Sequence, residues 1–306
     1  MPTQILNNFL LQKGIDKDLQ IVLSAIARAG KYVCHAIETG DLGLAGTSNL
    51  FGEDQLALDV LADKIFTEHL KATDLVNKIA SEEKQQAETF SEKNKFCIAF
   101  DPLDGSSLVD TNLAIGAIFA IWEGNDFIGK KGKDMKAACY LVFGPRTTLT
   151  IATKQKVWEF ALNQLGEFSL QRDDIYVIEK TKTFSPGNLR AIKEREDYKN
   201  LVNAWQNQQL TLRYSGGMVP DIHSILAKGN GIFSYPSFSK YPYGKLRLLF
   251  ECAPFAFIME KAGGLAKDEQ GNNILDLEIK EIHQRTTIFI GSKEEVNRCE
   301  KYLKKS

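Results

Sequence analysis

Residues 96–124, FCIAFDPLDGSSLVDTNLAIGAIFAIWEG, place two aspartates and a Gly-Ser-Ser turn between two apolar runs. Phe96 to Phe100 is short, apolar and followed by turn residues, so a buried strand ending at Asp101 is expected. Pro102 has no N–H and restricts the residue before it, which should stop the ladder there and stiffen the loop. A stiff loop can aim Asp101, Asp104 and the carbonyl of Leu103 at one point. Those are hard oxygen ligands of the kind Mg²⁺ prefers, with Mn²⁺ as the alternative ion. Gly105 lets a backbone approach closely, successive N–H groups can form an anion nest, and Ser106 and Ser107 add hydroxyl donors, which together suit a phosphate. An Asx or Pro-x-Asp-Gly turn between two strands is the ordinary meaning of such residues. The six fixed positions of Asp-Pro-x-Asp-Gly-Ser-Ser, however, arise by chance on the order of once in 10⁷ starting points.

Upstream, Leu19, Val22, Leu23, Ile26, Ala29, Val33 and Ile37 recur at helical spacing within residues 17–39, with Asp16 or Asp18 near the start and Gly40 at the end. The glycine-rich DLGLAGTSNLFGEDQ reads as a mobile loop. A second helix follows, with Leu56, Val60, Leu61, Ile65 and Phe66 as its apolar set; Asp59 interrupts it and reads equally well as a solvated aspartate. LVNKIA at 75–80 is an expected strand that ends in Ser81, Glu82 and Glu83, where two carboxylates can fan toward one site. Downstream, AACYLVFG, TLTIAT and VWEFAL read as an antiparallel meander. Residues 171–190 are polar, and a domain boundary is expected near 175. Beyond it a helix at 195–208, a strand TLRY, a helix at 219–228, a strand GIFSY, a long helix at 245–262, a strand at 264–266, a strand TTIFIG and a helix at 293–304 alternate. The expected architecture is therefore an α+β unit, residues 1–175, of helices on a mainly antiparallel sheet, and an α/β unit, residues 176–306.

Composition narrows the function. The 306 residues are 43% hydrophobic and 25% charged, enough apolar material for one large core or two modest ones. A formal net charge of -1 offers no global field for nucleic acid or an anionic membrane, so neither is an expected partner and any phosphate must be held by a local cluster. Cys34, Cys97, Cys139, Cys252 and Cys299 are widely spaced and sit mostly in apolar runs, which fits reduced thiols and a cytoplasmic location. Neither a signal peptide nor a membrane span is expected; a plastid or other organelle is the alternative should a transit segment have been removed.

DPLDGSS resembles the metal-binding signature of the class I fructose-1,6-bisphosphatase family. DPLDGSSLVDTN followed by IFAIWEG and GPRTTLTIA looks like its sedoheptulose-1,7-bisphosphatase branch, and the likeness runs from about Ala25 to Gly291. The resemblance implies the sugar-phosphatase fold, a layered α/β sandwich. It also implies Glu82, Asp101, Asp104, the Leu103 carbonyl and Glu251 as metal ligands, with Glu53 as an extra one. Read from the residues alone, Glu251 lies in so apolar a stretch that it must be paired, coordinated or protonated, and a salt bridge to Lys245 or Arg247 is the ordinary alternative. By resemblance Asp59 and Glu83 activate the attacking water beside Glu82, while Asp104, Gly105, Ser106 and Ser107 meet the phosphoryl group that leaves. The same resemblance implies that Tyr214, Tyr235 and Lys245 hold the second phosphate, that Met218 walls the sugar site beside Gly217, that Asn188 adds a polar contact and that Arg213 reaches across a subunit interface; Lys240 lies in the same tyrosine-rich stretch. A homodimer or homotetramer is implied.

Departures from the family are equally specific. The redox cysteine pair of plastid sedoheptulose enzymes has no counterpart in LGLAGTSNLFGEDQLA, so thioredoxin control is not expected. GIDKD and Lys95-Phe96 stand where animal fructose enzymes bind AMP, so that inhibition is not expected either. The reading is an Mg²⁺-dependent phosphatase that removes the 1-phosphate of sedoheptulose-1,7-bisphosphate and also accepts fructose-1,6-bisphosphate. The alternatives are the fructose-1,6-bisphosphatase of gluconeogenesis, an inositol-monophosphatase-like enzyme and a catalytically dead binding protein of the same fold. Tyr214, Tyr235 and Lys245 argue against a monophosphatase, because a monophosphate needs no second anion pocket.

Overall fold

The computed structural model describes residues 4–40, 44–48 and 54–303. Helices α1 (Leu6–Gln12) and α2 (Lys17–Thr39) open the chain. Asp16 caps α2 by accepting the Leu19 N–H at 3.1 Å, and the expected stripe from Leu19 to Val33 is buried. The segment read as a loop carries two short antiparallel strands, β1 (Leu44–Ser48) and β2 (Asp54–Leu56). Glu53 lies outside the described residues. Helix α3 (Ala57–Lys71) differs from expectation, since it buries Leu58, Ala62, Phe66 and Leu70 while Val60 and Leu61 are 45% and 41% exposed. The buried stripe runs at steps of four, and the adjoining turn of the helix carries Asp59 and Asp63 inward as well.

The central sheet follows: β3 (Val76–Ser81), β4 (Glu88–Thr89), β5 (Phe96–Asp104), β6 (Ile115–Glu123), β7 (Ala137–Phe143), β8 (Thr148–Thr153), β9 (Val157–Leu162) and β10 (Phe168–Asp173), ordered β10-β9-β8-β7-β6-β5-β3-β4. All its pairings are antiparallel except β3 with β5. The expected strands are present, but β5 does not stop at Asp101. It runs on to Asp104, and because Asp101 faces Ile118 while Asp104 faces Gly116, one extra residue is absorbed in a bulge at Pro102. Proline here re-aims the strand instead of ending it. Strand β10 falls in a stretch that reads as polar because only its first two residues are fully buried.

Both faces of this sheet are covered, which is why β5 to β9 read as near-continuous apolar runs. Phe100, Ala117, Phe119 and Ile121 pack toward α1, α2 and α3, and Ala99, Ile118, Ala120 and Trp122 face the opposite way. The second half supplies the elements on that opposite face. Its parts are β11 (Thr183–Pro186), α4 (Glu196–Asn207), β12 (Thr211–Leu212), α5 (Met218–Lys228), β13 (Ile232–Tyr235), α6 (Ala253–Lys261), β14 (Leu265–Lys267), β15 (Ile288–Gly291) and α7 (Lys293–Leu303). The five strands are ordered β12-β11-β13-β15-β14. Helices α5 and α6 are sandwiched between the two sheets, and α4 and α7 close the outer face over Phe184, Ile232 and Phe289.

The long helix expected at 245–262 is not formed. Arg247 is extended and bridges Arg285, residues Leu248–Cys252 form a π turn in which Cys252 N–H reaches the Arg247 carbonyl at 3.0 Å, and only then does α6 begin. Pro254, at the start of α6, cannot donate to the carbonyl four residues back and would clash with it, so the preceding turn widens.

Candidate active site

Strand β5, which carries the bulge, and the π turn before α6 pack against each other. One carboxylate oxygen each from Asp101, Asp104 and Glu251 lies within 4.8 Å of the others, and all three side chains are buried. Each is oriented by a main-chain N–H: Leu103 to Asp101 Oδ1 at 2.9 Å, Val219 to Asp104 Oδ2 at 2.6 Å, and Arg247 to Glu251 Oε2 at 2.6 Å. The Val219 donor belongs to the first turn of α5, where a carboxylate is favoured by the helix dipole.

Burial, then the charges of Asp104 and Glu251, push the Asp101 carboxyl well above the usual range. Burial lifts Asp104 to about 7 against the pull of the Val219 N–H, and burial raises Glu251 against the charge of Arg247. Three carboxylates so close in a poorly solvated place cannot all ionise alone, and their hard oxygens fit a divalent cation that would displace the protons.

A cavity of about 350 Å³ opens above the cluster. Asp59 from α3, Glu82 and Glu83 from the turn after β3, Leu103, Gly105, Ser106 and Ser107 line it from the first half of the chain, and Tyr214, Gly217, Met218, Tyr235 and Lys245 from the second. Gly105 sits at φ +80° and its missing Cβ would stand 3.5 Å from the Gly217 Cα, so the two halves of the wall touch at glycines. The half-buried Glu82 forms an ion pair with the buried Arg247 guanidinium, so the salt bridge that was the alternative fate of Glu251 is made by Glu82.

Three expected residues lie outside the lining. Asn188 gives its amide to the Pro236 carbonyl at 3.3 Å, Arg213 is exposed with a guanidinium N–H on the Leu212 carbonyl at 3.1 Å, and Lys240 is exposed above the Tyr241 ring. Sequence reasoning missed Phe233, Leu246 and Arg247 as lining residues. For Arg247 a signal was present: Lys245 and Arg247 are two apart, and in an extended chain they share a face. Treating the stretch as helix hid it.

The chain matches two family models, "Fructose-1-6-bisphosphatase, N-terminal domain" over residues 2–173 and "Fructose-1-6-bisphosphatase, C-terminal domain" over residues 177–304. The chain belongs to the class I fructose-1,6-bisphosphatase family. It is 45% identical to the fructose-1,6-bisphosphatase class 1 of Geotalea uraniireducens over 98% of this chain and 96% of that one. It is 40% identical to the chloroplastic sedoheptulose-1,7-bisphosphatase of Triticum aestivum, over 97% of this chain and 76% of the wheat protein. The holo crystal structure of Leishmania major fructose-1,6-bisphosphatase superposes with a TM-score of 0.93 at 31% identity, covering 99% of both chains. This family membership makes the chain a phosphoric monoester hydrolase acting on sugar bisphosphates, with a divalent-metal requirement that the buried acidic cluster fits. Curated relatives at 42–45% identity carry the fructose name, whereas the sedoheptulose branch put first by the motif reading appears at 40%.

Proposed function

We propose that this protein hydrolyses the 1-phosphate of fructose-1,6-bisphosphate with Mg²⁺, Mn²⁺ being able to substitute, and accepts sedoheptulose-1,7-bisphosphate as a second substrate. The observation that supports the reading is that the Asp101, Asp104 and Glu251 cluster and the Tyr214, Tyr235 and Lys245 set line one cavity. A reacting phosphate at the carboxylates and an anchoring phosphate at the tyrosines and lysine account for both.

In this reading Asp101, Asp104, Glu251, Glu82 and the Leu103 carbonyl hold the cation, which supplies charge neutralisation at phosphoryl oxygens and acidifies water. Glu53 is the extra ligand. Asp59 and Glu83 act as a pair that takes one proton from the attacking water as its oxygen bonds to phosphorus, while the bond from phosphorus to the sugar oxygen breaks and that oxygen takes up a proton from solvent. Gly105, Ser106 and Ser107 orient the phosphoryl group with N–H and hydroxyl donors. Lys245, Tyr214 and Tyr235 bind the remote phosphate and Met218 and Gly217 bound the sugar, while Asn188 and Lys240, outside the lining, would reach the substrate only by moving. The two units divided near residue 175 both contribute to the cavity's lining. Arg213, exposed at the rim, fits the subunit contact of a homodimer or homotetramer.

Chain length separates the two substrates by one carbon, about 1.5 Å. The glycines that could lengthen the pocket are already used for packing. A Cβ on Gly187 would stand 2.5 Å from Tyr235 Cδ2, one on Gly216 3.2 Å from Leu108 Cδ2, and one on Gly217 3.2 Å from Pro220 Cδ. A pocket so filled favours the shorter substrate. Side-by-side kcat/KM values test this: fructose-1,6-bisphosphate is expected to lead with both accepted, and a sedoheptulose preference of about 100-fold would overturn it.

A further inference from the structure

The turn that carries Glu82 and Glu83 is short, and its placement depends on Lys84. The Lys84 ammonium lies 2.9 Å from Asp63 Oδ2 on α3 and 2.7 Å from Glu88 Oε1, and its main-chain N–H reaches the Ser81 carbonyl at 3.1 Å. Its own carbonyl faces His283 Nε2 at 2.9 Å, a contact between residues 199 positions apart in the chain. Because the partner is a carbonyl, Nε2 carries the proton and donates it.

His283 opens a stretch that also grips the other half of the site. The carbonyl of Gln284 accepts from Leu248 N–H at 2.7 Å, the Thr286 N–H reaches the Leu246 carbonyl at 3.0 Å, and an Arg285 guanidinium N–H reaches the Lys245 carbonyl at 2.5 Å. The His283 ring packs on Phe250, the neighbour of Glu251, with centroids 5.5 Å apart. Residues 283–286 therefore bond the acidic turn after β3 at one end and the backbone leading into Glu251 along the rest. We propose that His283 is a positioning residue: its Nε2–H, given to the Lys84 carbonyl, holds the Glu82–Glu83 turn where Glu82 can join Asp101, Asp104 and Glu251 around a cation. This rests on the metal-site reading above. Partners that orient metal ligands from outside typically change metal affinity by about 10- to 100-fold when removed.

The test compares wild type, His283→Phe, His283→Gln and Asp101→Asn by titrating Mn²⁺ and following the free-ion signal by electron paramagnetic resonance, with steady-state kinetics alongside. Phenylalanine keeps the ring on Phe250 but donates nothing; glutamine keeps an N–H donor. His283→Phe is expected to weaken Mn²⁺ binding about tenfold and to raise the half-saturating metal concentration equally. KM for the bisphosphate at saturating metal should stay within about twofold, and His283→Gln should recover most of the loss. His283→Ala is the second donor-free variant should His283→Phe not fold. Wild-type Mn²⁺ binding in the donor-free variant, or a glutamine variant as weak as it, overturns the inference. Undiminished binding in Asp101→Asn overturns the metal reading itself, whereas weak binding there with normal binding in His283→Phe overturns only the role of His283.

Discussion

Each carboxylate of the central cluster accepts a main-chain N–H on one oxygen, which in the proposed reading leaves the other for the cation. That arrangement fixes the ligands before metal arrives, so Asp101→Asn removes charge with little change of shape. It should lower kcat by at least about 100-fold at saturating Mg²⁺, while the thermal melt of the metal-free protein holds or rises because burial and like-charge repulsion are relieved. Near-normal Mg²⁺-dependent turnover would remove Asp101 from the site. Lys245, which lines the same cavity, should behave differently. A charge-assisted contact to a remote phosphate is worth about 1.5–3 kcal/mol, and because it is made alike in ground and transition states, Lys245→Ala should raise KM about 10- to 150-fold with a smaller change in kcat. An unchanged KM would place the second phosphate elsewhere.

Among the elements, α5 ties stability to the site. It sits so close to the central sheet that a Cβ on Gly116 of β6 would stand 2.3 Å from Val219 Cγ1 and 2.4 Å from the Leu141 carbonyl oxygen. The same Val219 donates its N–H to Asp104. Gly116→Ala should therefore cost about 1–3 kcal/mol of stability, seen as a lower melting temperature, and should also weaken metal activation by lifting that N–H from the carboxylate. A destabilised variant with wild-type metal dependence would separate the two effects. The π turn before α6 has the same double character, since the widening that accommodates Pro254 also presents Glu251. At the other end of the molecule the turn read as a departure from the AMP-binding enzymes is closed by charge: Asp16 and Asp18 each lie 2.9 Å from the Lys95 ammonium.

At the scale of the whole molecule, the cavity is lined by residues of both halves of the chain, and the acidic cluster makes folding sensitive to pH. The folded-state carboxyls of Asp101, Asp104 and Glu251 are raised, with Asp104 at about 7, so the native state binds more protons than the unfolded chain between the ordinary carboxylate range and neutrality. Stability of the cation-free protein is present at low pH and falls as pH rises through that window. A cation takes the place of the protons, and its stabilisation should grow over the same window. Thermal melts with chelator and with Mg²⁺ at about pH 5 and pH 8 measure this; the gap should be wider at the higher pH, and an equal gap would contradict the cluster's role.

How much could be read from the chain alone follows from the range of the forces involved. The aspartate at the start of α2, the stripe of that helix, the meander of β7 to β9 and the Gly105-Ser106-Ser107 turn are determined locally by hydrogen bonds and side-chain period, and all of them were legible. So were most of the cavity's lining residues, those at 101–107 from their turn chemistry and most of the others by likeness to a family. Tertiary structure decided the rest. Pro102 could end a strand or enter a bulge, and only the neighbouring β6 selected the bulge. Residues 245–252 have the apolar content of a helix, but Pro254 and the pairing of Arg247 with Arg285 opened them into an extended stretch and a π turn. The face of α3 that turns inward was set by the sheet beneath it, and the partner of Arg247 by a glutamate 165 residues earlier in the chain. Local sequence carries the period and the turn chemistry, whereas the meeting of distant charges depends on packing that no short window contains.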